Sequence, residues 1–383
     1  MNASVWNKIK PNRAADSKSV VRSNIGLEIA QQSLNMVQLE QNDAGKIRIS
    51  DWVSIPFAQT REDLIYNKKE FKHLVKSVKE FAQFRGKKIN AMMPASELKI
   101  LSVNFETKDG QDASYAIANI VADRVEGPLS DYVIDYLPVR RAEKHGKGLA
   151  VVAIAKQKNV TAYLDSLYGA GLEVMSMDIG PAAIKRLVTA IDGTQVGETV
   201  LVINFGNAMS YLSIISGRRL LFDEELKFGE SELVNEIASA LDMDTEVARE
   251  QVRLCGLGSF GQAGLNEAKR EVADTLLQIL RPSFKKLADS LKRALVYAVA
   301  ETRGEPISQI YLVGSVARWR GVADVLTGLM NLPVTILPDP IARFGDKFDE
   351  ELPMIGRGHP EMALATGLAL RDLDINGKYR PGS

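Results

Sequence analysis

One cysteine, three histidines and no long apolar run in 383 residues exclude several classes of protein at the outset. The single Cys255 cannot build a disulfide framework or a cysteine zinc site. It sits in VRLCGLG among apolar neighbours, where a small buried core residue is the ordinary reading and a reactive thiol the rarer one. His73, His145 and His359 are scattered without metal-ligand spacing, so metal chemistry through side-chain nitrogen or sulfur is not expected. No stretch approaches the roughly 18–20 apolar residues that cross a bilayer. GLAVVAIA at 148–155 is among the longest, and it has strand length. The opening MNASVWNKIKPNRAADSKSVVRS is basic but has no apolar h-region, so it does not read as a secretory signal. An excess of charge is missing too. Lys plus Arg total 48 and Asp plus Glu total 48, so nothing draws the chain globally toward nucleic acid or an acidic membrane.

What is present is ordinary globular material: 45% hydrophobic and 25% charged residues, on a length that calls for two or more domains. Residues 1–23 read as a flexible tail; Trp6 and Ile9, flanked by Lys8 and Lys10, could touch lipid headgroups weakly, against the plainer reading of a frayed end. Three alternating strands are expected over 24–57, then an amphipathic helix over 68–85 with Phe71, Leu74, Val75, Val78 and Phe81 on one face. From 88 to 180 the pattern predicts a compact inserted unit. Its strands fall at 89–94, 98–105, 131–139, 149–155 and 172–179, and its helices at about 110–127 and 157–171. The basic loop RRAEKHGKG at 140–148 reads as a solvated hairpin tip in preference to a phosphate patch. Two alternating strands and a third reopen the pattern over 199–233. Helices follow at 230–241, 244–254 and about 266–303, the last with a kink or break expected at Pro282. A buried strand, a glycine turn and a helix fill 307–330, a closing helix fills 359–373, and 374–383 is a loose end.

An internal echo carries the chemistry. Glu28-Ile29-Ala30 and Asn204-Phe205-Gly206 each end a strand before a short polar turn and a second strand. Self-similar halves imply a duplicated fold with a site in the cleft between them. Two tight hairpins facing each other can offer backbone N–H groups to phosphates, provided small residues let the backbone approach the anion. The candidates in these turns are Glu28, Ala30, Gln31 and Ser33 on one side and Asn204, Gly206, Asn207 and Ala208 on the other. An acid at the end of the leading strand, here Glu28, would position Mg²⁺ or its waters. In YLVGSVARWRG, Gly314, Ser315 and Arg318 form a strand–glycine–helix junction suited to a base or sugar, with helix N–H groups nearby. Glu230 opens a helix where the helix dipole favours an acid.

The order of hairpin, inserted α/β subdomain, hairpin, strand–glycine–helix and final ALATGLAL helix resembles the actin-like ATPase superfamily. More narrowly it resembles the PilM family of type IV pilus assembly, itself similar to FtsA. The resemblance covers roughly 24–373. It rests on IGLEIAQQSLNMVQLE, VVAIAKQKNVTAYLDSLYGAGLEVMSMDIGPAA, FGESELVNEIASALDMDTEVARE and EMALATGLALRDL in that order. It implies an α/β fold of the duplicated, ribonuclease H-like actin type. The first actin-like domain would span 24–87 and 181–198, a 1C-type insertion 88–180, and a second actin-like domain 199–373. It also implies ATP or ADP with Mg²⁺ as the ligand class, and it places the Glu230 helix near the ribose. The implied partner is a PilN-like membrane protein, whose N-terminal peptide docks between the first subdomain and 1C, together with other pilus platform proteins. The strands at 98–105 and 131–139 and the 68–85 helix are where such a groove is expected.

Against the family pattern of acid–x–Gly, Asp–x–Gly and Gly–Gly, this chain has Ala30, Asn204 and Ser315. An amide at 204 removes one of two carboxylates that would hold a hydrated Mg²⁺. Ala30 adds a methyl group, and is strained if the turn needs positive φ. Because phosphoryl transfer depends on metal and positioning, the expectation is weak or absent hydrolysis. The chain then acts as a cytoplasmic adaptor at the inner membrane through its partners, with only indirect membrane contact and no nucleic acid. Two alternatives stay open: a working ATPase or sugar kinase of the superfamily, and an FtsA-like filament former. No sugar-kinase Asp motif is found, and NGKYRPGS supplies no amphipathic membrane helix. The membrane-anchored secretion relative GspL fits less well than the free-standing pilus family.

Overall fold

The structure is a computed structural model. It describes residues 20–31, 33–107, 112–140, 147–192, 198–217, 219–258, 266–301, 304, 306–345, 362–373 and 375. Residues 1–19 and 376–383 of the expected tails, and 141–146 of the basic loop, lie outside these.

The first half opens with β1 (Val21–Arg22), β2 (Ile25–Ile29), β3 (Ser33–Gln41) and β4 (Ile47–Pro56). Two helices follow, α1 (Arg61–Tyr66) and α2 (Lys68–Phe81), and then β5 (Lys88–Met92). Both helices start on side-chain caps: Thr60 accepts from the Asp63 amide and Asn67 from the Glu70 amide. Phe71, Val75 and Val78 of α2 are buried as the periodicity requires, but Phe81, at the last turn, is 55% exposed. Next come β6 (Leu98–Glu106), α3 (Ala113–Ala122), β7 (Tyr132–Arg140), β8 (Lys147–Lys156), α4 (Gln157–Gly169), β9 (Glu173–Asp178) and α5 (Gly180–Asp192).

The second half contains β10 (Thr199–Phe205), β11 (Ser210–Ser216), β12 (Arg219–Leu226), α6 (Glu230–Ala240), α7 (Thr245–Cys255) and α8 (Glu267–Glu301). It ends with β13 (Ile307–Gly314), α9 (Val322–Met330), β14 (Val334–Ile336), α10 (Pro340–Phe344) and α11 (Ala363–Ala369). Helix α8 runs through Pro282 without interruption. Leu280, Ser283, Phe284 and Leu287 around it are buried, and the Ser283 hydroxyl donates to Glu236 of α6 at 2.7 Å. That packing offsets the backbone hydrogen bond that proline removes.

Sheet topology establishes the duplication. One sheet runs β4-β3-β2-β5-β9 and the other β12-β11-β10-β13-β14, with β1 an extra partner of β3. In both, the first two pairings are antiparallel and the last two parallel. Helices α5 and α11 pack against each other between the halves, and α11 also covers β2 and β3. The approach is close. A Cβ on Gly367 would lie 2.2 Å from the Ala183 carbonyl oxygen, and one on Gly26 2.0 Å from that of Ala365. Gly367 is thus a packing residue.

Strands β6, β8 and β7 form a separate antiparallel sheet backed on one face by α3. The outer strands of the unit expected at 88–180, β5 and β9, belong instead to the first sheet. They pair in parallel, β5 beside β2 and β9 beside β5, and periodicity along the chain cannot show which sheet a strand joins. The other face of the inserted sheet, through Val139, Leu149 and Val151, merges with the core of the second half. There β12 packs on all three inserted strands. Cys255 is 3% exposed, a core residue whose thiol burial pushes up. Among the described residues no helix is long and apolar enough to cross a membrane.

Candidate functional site

The second-half turn is built by backbone. Between β10 and β11, Gly206 is required because a Cβ there would lie 2.2 Å from the Met209 carbonyl oxygen. The start of α6 closes over this turn. The Glu230 amide donates to the Gly206 carbonyl at 3.0 Å, and the Ser231 amide and hydroxyl donate to that of Asn207 at 2.8 and 2.7 Å. Gly229 lets the helix approach, since a Cβ would meet Asn207 and Ala208 backbone atoms within 2.6 Å. From the other side, Gly314 ends β13 opposite Phe205 with φ +86°, and its Cβ would lie 2.1 Å from the Phe205 carbonyl oxygen and 2.9 Å from Asn204 Oδ1. The Ser315 amide donates to the same carbonyl at 2.8 Å. Asn204, Gly206, Asn207, Ala208, Glu230, Gly314 and Ser315 therefore come together. The expected helix after Ser315 is preceded by a short 3-10 turn, Val316–Arg318. Arg318 is exposed and its amide donates to the Ser315 carbonyl at 3.3 Å. The first amides of α6 are engaged by the turn itself, because helix and turn share one tight junction.

Two neighbours escaped the sequence reading. Trp319 Nε1 donates to Glu230 Oε1 at 3.2 Å, and Arg249 of α7 pairs with Glu230 Oε2 at 3.4 Å. Trp319 stands four residues after Ser315, in the same segment; Arg249 had no local signal, because a helix–helix contact set its place.

The first-half turn is flanked by a row of hydrogen-bonded side chains on β2, β3 and β4. Glu28, 7% exposed on β2, accepts from Asn35 Nδ2 at 3.2 Å, and Asn35 Oδ1 accepts from the Ser54 hydroxyl at 2.8 Å. The Ala30 amide donates to the Ser33 carbonyl at 2.9 Å, and Gln31 is exposed. Ala30 is not strained: among the described residues, the non-glycine positions with positive φ are Asp242 and Asn331.

Arg61, at the start of α1 and 6% exposed, stands in electrostatic range of both halves. Its Nε and Nη2 donate to Glu62 Oε1 at 3.2 and 2.7 Å, and Nη2 donates to the Ser96 hydroxyl at 2.8 Å. In the first half it lowers the phenol pKa of Tyr163, which burial pushes well above the usual tyrosine value and Glu28 raises further. In the second half it does the same to Tyr211, whose phenol burial and Glu225 push up to about 12. Nothing in the sequence flagged Arg61.

The donor set does not suit a carboxylate-held Mg²⁺. Glu28 supplies one carboxylate, which already accepts from Asn35, and position 204 offers an amide. Among the described residues no group of three or more His, Cys, Asp or Glu side chains is arranged to hold a metal ion.

A second concavity lies where the first half meets the inserted unit. Ile65 and Tyr66 of α1, Met93 and Glu97 from the β5–β6 connection, and Asn159 and Tyr163 of α4 line a small depression of about 10 Å³. Asn159 Nδ2 donates to Glu97, while Tyr66 remains 53% exposed at the rim.

Two sheets of identical order, joined by packed helices α5 and α11 and carrying matched turns, define an actin-like α/β protein. A solved PilM–PilN type IV pilus biogenesis complex contains a chain with the same fold, with a TM-score of 0.71 at 20% identity over 92% of this chain and 99% of that one. The ethanolamine utilization protein EutJ from Carboxydothermus hydrogenoformans is similar at a TM-score of 0.51 and 13% identity, over 91% and 89%. The chain belongs to the family of type IV pilus assembly protein PilM, which it matches over residues 26–373.

Proposed function

We propose that this member of the pilus assembly family is an adaptor, and that the surface where α1, the β5–β6 connection and α4 meet docks the N-terminal peptide of a PilN-like membrane protein. The supporting observation is that surface: an exposed Tyr66 beside a small depression over buried Ile65 and Met93, with polar groups at Glu97 and Asn159. Such a mixture suits an extended peptide that is anchored by apolar side chains and fixed in register by polar ones. The similar structure is a complex of PilM with PilN, which motivates the choice of partner. Through it the chain would lie on the cytoplasmic face of the inner membrane, alongside other platform proteins, without inserting into lipid.

On this reading the cleft between the halves is a degenerate nucleotide site. Asn204 in place of an acid and the engaged α6 amides support binding that is weak and structural, with little turnover.

The test is binding of a synthetic N-terminal peptide from a PilN-like protein of the same organism. Tyr66→Ala and Glu97→Lys should each weaken it by about tenfold or more, as expected for residues on a peptide-docking surface. Unchanged affinity in both variants would sink the proposal. Point variants are preferable to deleting 88–180, which would remove β5 and β9 from the first sheet. Phosphate release from ATP with Mg²⁺ tests the second part: turnover near ~1 s⁻¹, the low end of kinase rates, would overturn it.

A further inference from the structure

The charges of the chain balance overall, but one surface does not share in that balance. Residues 68–88 contain seven lysines and one arginine against two glutamates. Most of this charge lies on α2. Its Phe71, Val75 and Val78 are buried in the core of the first half, while Lys68, Lys69, Lys72 and Lys76 are exposed. Positions 69, 72 and 76 recur at helical spacing, so their ammonium groups share the outward face. Among the described residues Lys68 has one weak partner, Asp165 at 4.0 Å, and Lys69, Lys72 and Lys76 form no ion pair. Of the acids on the helix, Glu70 accepts from Gln59 Nε2 at 2.9 Å, and Glu80 stands in the last turn. Beyond the helix Arg85, Lys87 and Lys88 are exposed as well.

Lysines gathered without partners on one face repel each other and call for a negative counter-surface. We propose that α2 is a contact for anionic phospholipid headgroups, so that the first half rests directly on a membrane in addition to its link through the partner. Clusters of four or more basic residues on an amphipathic helix have this affinity. The helix does not insert, because its apolar side is already buried in the protein; the lysine stems carry their charges to the headgroups and leave the acyl layer untouched. Lysine suits a fluid, diffuse array of charges, whereas fixed phosphates and base edges are gripped by the arginine fork, and α2 has no arginine. That distinction favours lipid over nucleic acid. Helix α2 begins two residues after Tyr66, so the edge given to the peptide would also meet the bilayer, yet the lipid contact does not depend on that peptide.

The experiment is sedimentation of the full chain with vesicles of phosphatidylcholine, either alone or with about one-third phosphatidylglycerol. The wild type should pellet with the anionic vesicles and not with the neutral ones, and salt at about 0.5 M should release it. Each lysine near an anionic surface strengthens binding by about fivefold, so Lys69→Gln, Lys72→Gln and Lys76→Gln combined should weaken it by about a hundredfold. All three side chains are exposed, so a thermal melt like that of the wild type should accompany the loss. Lys8→Gln with Lys10→Gln, in the basic opening segment, should bind like the wild type. The proposal fails if the wild type ignores anionic vesicles, if neutral vesicles pellet it equally, or if the triple variant binds as the wild type does. It fails too if the Lys8 and Lys10 variant loses binding while the triple variant keeps it. Duplex DNA held by the same three lysines more tightly than the vesicles are would make the patch a nucleic-acid surface and overturn the lipid assignment.

Discussion

Across β2, β3 and β4 the row beside the first turn reads Glu28, Asn35 and Ser54; across β10, β11 and β12 the matching row reads Asn204, Tyr211 and Glu225. The strand positions correspond, yet the carboxylate has moved from the strand that leads into the turn to the outermost strand. There Glu225 accepts a 3.4 Å hydrogen bond from Tyr211, while in the first half Glu28 is held by Asn35. The turns beyond these rows differ in the same spirit. The first contains no glycine and is spanned by a backbone hydrogen bond from Ala30 to Ser33, whereas Gly206, Gly229 and Gly314 let three backbone segments meet in the second. Duplication preserved the geometry of the backbone, which packing enforces. It did not preserve the placement of charge, which chemistry alone would have to maintain.

The contrast can be broken most sharply at Gly314. With φ +86° and a Cβ position 2.1 Å from the Phe205 carbonyl oxygen, Gly314→Ala should cost about 3–5 kcal/mol, seen as a large drop in melting temperature or loss of folded protein. A melt like that of the wild type would show the second turn to be no more constrained than the first.

A smaller effect is expected at Asp223 of β12, a buried carboxyl that accepts from the Ser213 hydroxyl at 2.6 Å. Burial raises its pKa from 3.8 to about 7, with Ser213 opposing. The folded state therefore holds a proton that the unfolded chain releases above pH 4. This contribution to stability is complete below about pH 4 and is lost as pH rises through about 7. Asp223→Asn should flatten that slope and melt higher than the wild type at pH 8, by an amount on the order of 2–4 kcal/mol. Melts from pH 5 to 8.5 decide it; parallel curves for the two proteins would show that Asp223 stays ionised.

The smallest effect belongs to the first turn. Ala30 adopts no positive φ, so Ala30→Gly should lower stability by no more than about 1 kcal/mol and leave the fold unchanged. A clear gain in stability would instead reveal strain at Ala30.

Much of the fold was legible because strand alternation and helical periodicity are local. The hairpin at 25–41, the α6, α7 and α8 helices and the echo of Glu28 against Asn204 all followed from residue spacing. Sheet membership was not legible: β5 and β9 look like the inserted strands along the chain, and only long-range pairing assigns them to the first sheet. At the site, Asn204, Gly206 and Gly314 stood out by residue type and turn position. Trp319 and Arg249 reach Glu230, and Arg61 lies in range of both halves, through contacts that no spacing rule encodes.

The sequence by itself determined that there are two similar halves with an insertion, that thiol and imidazole metal chemistry is absent from the pattern, and that the paired turns carry an acid at 28 and an amide at 204. Those properties depend on composition and on neighbours within a few residues. Tertiary structure alone decided that α5 and α11 pack helix to helix, that the inserted sheet leans on β12, and that the Tyr163 hydroxyl is sealed without a hydrogen-bond partner among the described residues. Each of these depends on which surfaces are removed from water together, and burial is a property of the assembled chain rather than of any segment.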